Sequence, residues 1–176
     1  CDAGLELYGL DISADVGVYV DNIPLSGSSG WGIRGSNPYL LGAFFGELDV
    51  DMIIMQFGVN AIPQAEDEVV EDYGFYKNEF GKQLKYLNSV APDAVIVVIG
   101  VSDRSIRSGS NYITNPNIFK LREAQREAAL ENGCVFWDLF MAMGGENSMP
   151  SWVLRETPLA NKDFIHFNNK GAELVA

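Results

Sequence analysis

The only histidine of the chain, His166, stands three residues after a carboxylate in Lys162-Asp163-Phe164-Ile165-His166. An imidazole is the side chain whose ordinary pKa lets it take and return a proton near neutral pH, so a single histidine is the first place to look for a general base. A carboxylate at Asp163 would hold the ring and fix its tautomer, as the acid of a Ser-His-Asp set does. A surface loop with a histidine beside an acid, or an aspartate that only caps the following helix, explains the same four residues more simply. Other groups of the right chemistry must decide. Acyl transfer also needs a nucleophile and donors aimed where an oxyanion forms. Donors of that kind are available at Gly27, in the glycine- and serine-rich run Asp21-Asn22-Ile23-Pro24-Leu25-Ser26-Gly27-Ser28-Ser29-Gly30, and at Asn60, in Phe57-Gly58-Val59-Asn60. A plain turn glycine and a strand-end cap are the structural alternatives for these two.

Such groups need rigid elements to carry them. The nearly continuous apolar runs 50–57, 94–100 and 134–140 suit strands covered on both faces. Helices are predicted between and around them. One starts at Asn37-Pro38; one spans about 71–90, with Tyr73, Tyr76, Phe80, Leu84 and Leu87 at spacings of three and four. Another has Asn115 as N-cap and Pro116 at its first position, and closes at Gly133; the last starts from residue 168. Alternating strands and helices predict an α/β domain with a parallel sheet and helices on both faces. The loops Ser26–Gly30, Gly58–Ala61 and Val101–Asp103 each follow a strand, which places them on the edge where such folds carry their chemistry. A polar loop is expected between Val101 and Asn115, and a loop over 141–152 that leads through a short helical turn to the Asp163–His166 loop. Residues 5–10 and 15–21 alternate like two short strands of a hairpin.

Composition narrows the function classes. With 24 acidic against 12 basic residues the formal charge is −12, which argues against sequence-blind nucleic-acid binding and against anionic membrane surfaces. No apolar run reaches the roughly 18 to 20 residues of a membrane span. Cys1 and Cys134 have no metal-ligand spacing, and whether they pair is not set by the sequence. No metal cluster and no cofactor motif is found. Glu66-Asp67-Glu68 and Glu71-Asp72 read as a solvated face, and Asp103, Asp138 and Trp152 as structural residues.

Taken together the motifs resemble the SGNH or GDSL hydrolases. Asn22-Ile23-Pro24-Leu25-Ser26-Gly27 is similar to their second block, where an asparagine precedes the oxyanion glycine by five residues. Phe57-Gly58-Val59-Asn60 is similar to the third, Gly-x-Asn-Asp, with Ala61 in place of the final Asp, and Asp163-Phe164-Ile165-His166 to the fifth, Asp-x-x-His. The resemblance implies a three-layer α/β/α doubly wound, flavodoxin-like fold, with His166 as base, Asp163 as its orienting acid, and Gly27 and Asn60 as oxyanion donors. The first block, Gly-Asp-Ser with its nucleophile, has no counterpart, and Ser26, Ser28 and Ser29 are given no nucleophilic role. The chain is therefore expected to be part of a longer polypeptide with the serine upstream, and to be inactive alone. Residues 1–20 are expected to end a preceding or inserted β-rich region, and 21–176 to form the hydrolase-like domain. Phe136-Trp137-Asp138 and the run 142–152 are similar to the subgroup of secreted carbohydrate esterases that remove O-acetyl groups from peptidoglycan or plant-type polysaccharides. That likeness implies an acylated carbohydrate or other small ester as substrate and a secreted, periplasmic or envelope setting. The alternatives are a non-catalytic polysaccharide-binding protein on the same fold, and a lipase or thioesterase.

Overall fold

In chain order the elements are helix α1 (Pro38–Glu47), strand β1 (Met52–Gln56), helix α2 (Gly74–Val90), strands β2 (Val95–Ile99), β3 (Ser105–Ser108) and β4 (Asn111–Thr114), helix α3 (Asn117–Glu131), strand β5 (Val135–Trp137), and helices α4 (Leu139–Ala142), α5 (Ser148–Leu154) and α6 (Asn169–Val175). They belong to a computed structural model that describes residues 16–65 and 68–176. The three apolar runs become a three-stranded parallel sheet in the order β1-β2-β5. Its register runs from Met52 opposite Val95 to Gln56 opposite Ile99, and from Val97 opposite Val135 to Ile99 opposite Trp137.

Side chains alternate across a strand, so each face draws on every second residue. Met55, Ile96 and Val98 face the main core, where Phe80, Leu84 and Leu87 of α2 and Ile118, Leu121 and Ala128 of α3 cover them, with Phe45 of α1 alongside. The apolar residues of α2 recur at three and four, which is why one stripe of the helix is buried. Full burial of a Leu or Phe is worth about 1.5–3 kcal/mol, so this stripe, more than helix propensity, holds α2 in place. The second face carries a smaller cluster of Leu139, Met149, Trp152, Val153 and Phe164, with Ile99 and Val175 packed against it. The result is the three-layer α/β arrangement. Away from that cluster, Met52, Ile54, Val95, Val135 and Trp137 on the second face are exposed among the described residues.

Helix ends follow their sequence signals. The Asn37 side chain accepts from the N–H groups of Tyr39 (3.0 Å) and Leu40 (3.2 Å) at the start of α1, with Pro38 in the first position. Asn115 accepts from Asn117 N–H at 2.9 Å before α3, and the Cys134 N–H returns to the Ala129 carbonyl at 2.9 Å after it, the bond of a Schellman close around Gly133. Cys134 is a buried free thiol, and burial pushes its pKa up.

Three expectations need correction. Residues 16–21 belong to no strand, and Val18 is 93 % exposed; the first strand of that expected hairpin, 5–10, lies outside the described residues. The segment expected as a polar loop contains the antiparallel hairpin β3–β4, with Ser105 opposite Thr114 and Ser108 opposite Asn111. The third strand is shorter than 134–140, because Asp138 accepts from Met141 N–H and starts α4 at Leu139.

Candidate active site

The Asp163–His166 segment is a closed loop. Ala160 and Phe167 form an isolated antiparallel bridge. Asn161 N–H donates to the His166 carbonyl at 2.8 Å, and Asn168 N–H to the Leu159 carbonyl at 3.1 Å. Inside it, Asp163 Oδ1 accepts from the backbone N–H groups of Ile165 (2.9 Å) and His166 (3.0 Å), while Oδ2 lies 2.8 Å from His166 Nδ1. An ionised carboxylate can only accept, so Nδ1 carries the proton and the lone pair of the neutral ring sits on Nε2. Nε2 has no protein partner among the described residues, and the His166 side chain is 70 % exposed. Partial burial pushes the Asp163 carboxyl up, but the bonds from the His166 backbone, the His166 ring and the Ile165 backbone outweigh it and hold its pKa below the ordinary 3.8.

Phe164, between acid and base, has φ +59°, in the left-handed region that bulky side chains avoid at a cost of about 1–3 kcal/mol. Hairpin β3–β4 holds it there. Tyr112 stacks on the Phe164 ring with centroids 3.6 Å apart and planes at 9°, and Ser105 N–H donates to the Phe164 carbonyl at 3.0 Å. The hairpin thus sets the turn that brings Asp163 under His166.

The second pair of residues is assembled separately. Gly27 has φ +73° at the third position of a turn closed by Ser28 N–H on the Leu25 carbonyl (3.1 Å), a place that requires positive φ. Its own N–H has no acceptor among the described residues. Asn60 lies in the 3₁₀ turn Val59–Ala61 directly after β1, and its Nδ2 donates to the Ser28 carbonyl at 3.2 Å. An amide nitrogen carries two hydrogens, which leaves one on Asn60 for a further acceptor. The loop of Gly27 and the side chain of Asn60 are therefore brought together, as are Asp163 and His166. No hydrogen bond joins one pair to the other among the described residues.

The nearby serines are otherwise engaged or unlinked. Ser28 Oγ donates to the Trp31 carbonyl (3.2 Å) and accepts from Gly30 N–H (3.0 Å), and no hydrogen bond joins Ser26, Ser28 or Ser29 to His166. Asp138 pairs with Arg122 through Nε at 2.9 Å. Trp152 donates from its indole to the Met143 carbonyl at 3.0 Å. Asp103 is fully buried and accepts from Met149 N–H at 2.7 Å and Ser148 Oγ at 3.3 Å; burial raises its pKa against those bonds. No group of three or more His, Cys, Asp and Glu among the described residues could hold a metal ion.

Sequence reasoning missed Gln125 of α3, which is fully buried behind the loops of Gly27 and Asn60. Its Oε1 accepts from Val101 N–H at 2.8 Å, and its Nε2 donates to the Phe57 carbonyl at 2.8 Å and to Tyr76 Oη at 3.2 Å. Tyr76 in turn donates to the Ser29 carbonyl at 3.0 Å. The available signal was register: position 125 falls between Leu121 and Ala128 on the apolar stripe, where an amide has no place unless it is bonded.

With this geometry in view, the sequence model of the GDSL-like lipase/acylhydrolase family matches residues 5–174. The chain belongs to that family. Among solved structures, this family member is similar to a peptidoglycan O-acetylesterase at 25 % identity and a TM-score of 0.60, over 71 % of this chain and 35 % of that one. It is also similar to an acetyl xylan esterase at 15 % identity and a TM-score of 0.53, over 80 % of this chain and 73 % of that one, a likeness of fold. The chain thus spans about a third of the length of the O-acetylesterase it matches. No curated protein sequence matches it. No helix among the described residues is long and apolar enough to cross a membrane.

Proposed function

We propose that the full-length protein carrying this chain is a serine-type carboxylic ester hydrolase that removes acetyl groups from a carbohydrate, with its nucleophile in a segment outside residues 1–176. The carrying observation is the Asp163 carboxylate 2.8 Å from His166 Nδ1, which leaves Nε2 as an unpartnered base at the surface. In the first half-reaction the serine Oγ attacks the ester carbonyl carbon while His166 Nε2 takes its proton. The carbonyl oxygen becomes an oxyanion that accepts from Gly27 N–H and the remaining Asn60 N–H. Collapse breaks the bond to the leaving alcohol, which recovers the proton from His166. Water repeats the sequence on the acyl-enzyme, releases acetate and regenerates the serine. The acetyl-carbohydrate substrate and an envelope or extracellular setting are supported by the likeness to the peptidoglycan O-acetylesterase.

The test is hydrolysis of a small acetyl ester by the full-length protein. Asn60→Ala removes one oxyanion donor and lowers turnover about 100- to 1000-fold. His166→Ala lowers it further. Wild-type rates in the first variant remove the oxyanion assignment, and in the second the whole mechanism. Residues 1–176 alone do not hydrolyse the ester under this reading; robust turnover by that piece would overturn the placement of the serine.

A second reading, a non-catalytic polysaccharide-binding protein, draws on the lack of any serine hydroxyl bonded to His166 among the described residues. The two readings part at one observation. A serine-reactive fluorophosphonate labels the full-length esterase at a serine upstream of Cys1 and leaves the binding protein unlabelled.

A further inference from the structure

We propose that Gln125 is a positioning residue for the oxyanion donors, acting through Tyr76 on the loop of Gly27 and through Phe57 on the turn of Asn60. This rests on the oxyanion reading above and extends it to a residue that touches neither substrate nor donor atoms.

The amide of Gln125 has one orientation only. Exchanging its oxygen and nitrogen would set an NH₂ against Val101 N–H and a carbonyl against the Phe57 carbonyl, two like-to-like encounters in a fully buried place. Both of its N–H groups are used, and the second passes through a hydroxyl that has its own acceptor, Gln125 to Tyr76 to the Ser29 carbonyl, so each donor polarises the next. Phe57 is the residue before Gly58, and Ser29 follows the residue whose carbonyl receives Asn60 Nδ2. One side chain therefore sets where two separate loops stand relative to each other.

Gly58 supports the same conclusion on steric grounds. A Cβ there would lie 2.6 Å from Gln125 Nε2, and the backbone has φ +123°, so the turn leading to Asn60 is shaped to the amide behind it. Tyr76 is fixed in turn by stacking on Phe80, with ring centroids 5.6 Å apart, and by the tilted ring of Trp31 at 6.1 Å. A buried amide that merely joined β1, β2 and α3 would need Val101 and Phe57; the path to Ser29 serves the donor loop alone.

The test uses the full-length protein and two variants. Tyr76→Phe deletes one hydroxyl and keeps the ring packing; Gln125→Leu removes the hub. Tyr76→Phe is expected to lower kcat on a small acetyl ester about tenfold, and Gln125→Leu about tenfold to a hundredfold, with KM changed less than about twofold, as misplacement of a transition-state donor requires. In an Asn60→Ala background Tyr76→Phe should still lower kcat, since the Gly27 N–H whose loop it holds remains. Hydrogen exchange at 27–31 should rise at least about threefold in Tyr76→Phe while α2 and α3 keep their protection. If Gln125→Leu does not fold, Tyr76→Phe still decides. Unchanged kcat or unchanged exchange at 27–31 in folded Tyr76→Phe overturns the proposal. Failure of the underlying reading looks different: Asn60→Ala alone leaves turnover at the wild-type rate.

Discussion

Asp163 has both oxygens committed, one to the backbone of its own loop and one to the His166 ring. The pKa of its carboxyl is lowered in the fold, so the ionised form is the one the fold favours. Its contribution is present above the ordinary 3.8 and is lost as pH falls through the lower folded value. Protection of the Ile165 and His166 amides, taken relative to their intrinsic exchange at the same pH, should therefore persist from neutral pH down past 3.8 and fall only below it. Loss of protection already above that pH would contradict the bonding of this carboxylate. Asp103 runs the other way. Burial raises its pKa, so the fold favours its protonated form; that contribution is full below the ordinary 3.8 and is lost as pH rises through the raised folded value. The two carboxyls are alike in sequence and opposite in sign because one meets donors at the surface and the other is enclosed beside Met149.

At the scale of elements, the Asp163–His166 loop is fitted against α6. A Cβ on Gly171 would stand 1.9 Å from the Leu159 carbonyl oxygen, and Gly171 N–H is also taken by the capping side chain of Asn168 at 3.1 Å. Gly171→Ala is thus expected to cost about 3 kcal/mol, a fall in Tm of roughly 6–12 °C by thermal denaturation. A fall below about 2 °C would mean the loop can yield there. The helices and the sheet were legible in the sequence because their signals are local and repetitive: uninterrupted apolar residues in β1 and β2, and spacings of three and four in α2 and α3. The hairpin was not. Ser105-Ile106-Arg107-Ser108 and Asn111-Tyr112-Ile113-Thr114 carry few apolar residues, and their pairing is made worthwhile by Tyr112 on Phe164, a contact between distant parts of the chain. The left-handed backbone of Phe164 was hidden for the same reason, since nothing local favours it. The roles suggested for Asp163 and His166, and for Gly27 and Asn60, could be read from residue type and spacing, whereas Gln125 needed the helix register and its partners.

Over the whole molecule, the α/β fold covers one side of the sheet with α1, α2 and α3 and the other only near the carboxyl ends of the strands. Both candidate pairs are carried from that end: β1 runs into the turn of Asn60, while the hairpin after β2 holds the loop of His166 through Ser105. Lys77 of α2 meets Glu127 at 2.8 Å and Glu131 at 2.7 Å on α3. The parallel register has a consequence in time. Met52 meets Val95, and Val97 meets Val135, only after the helix between them has crossed the sheet, whereas Asp163 and His166 are near neighbours. On refolding, local turns form early, and Gln125 cannot join Phe57, Val101 and Tyr76 until β1, β2, α2 and α3 have all docked. Under the proposed esterase reading, ester hydrolysis by the full-length protein should therefore return later than its far-ultraviolet circular dichroism after dilution from denaturant. Simultaneous recovery would mean that the donor loops form without the finished sheet.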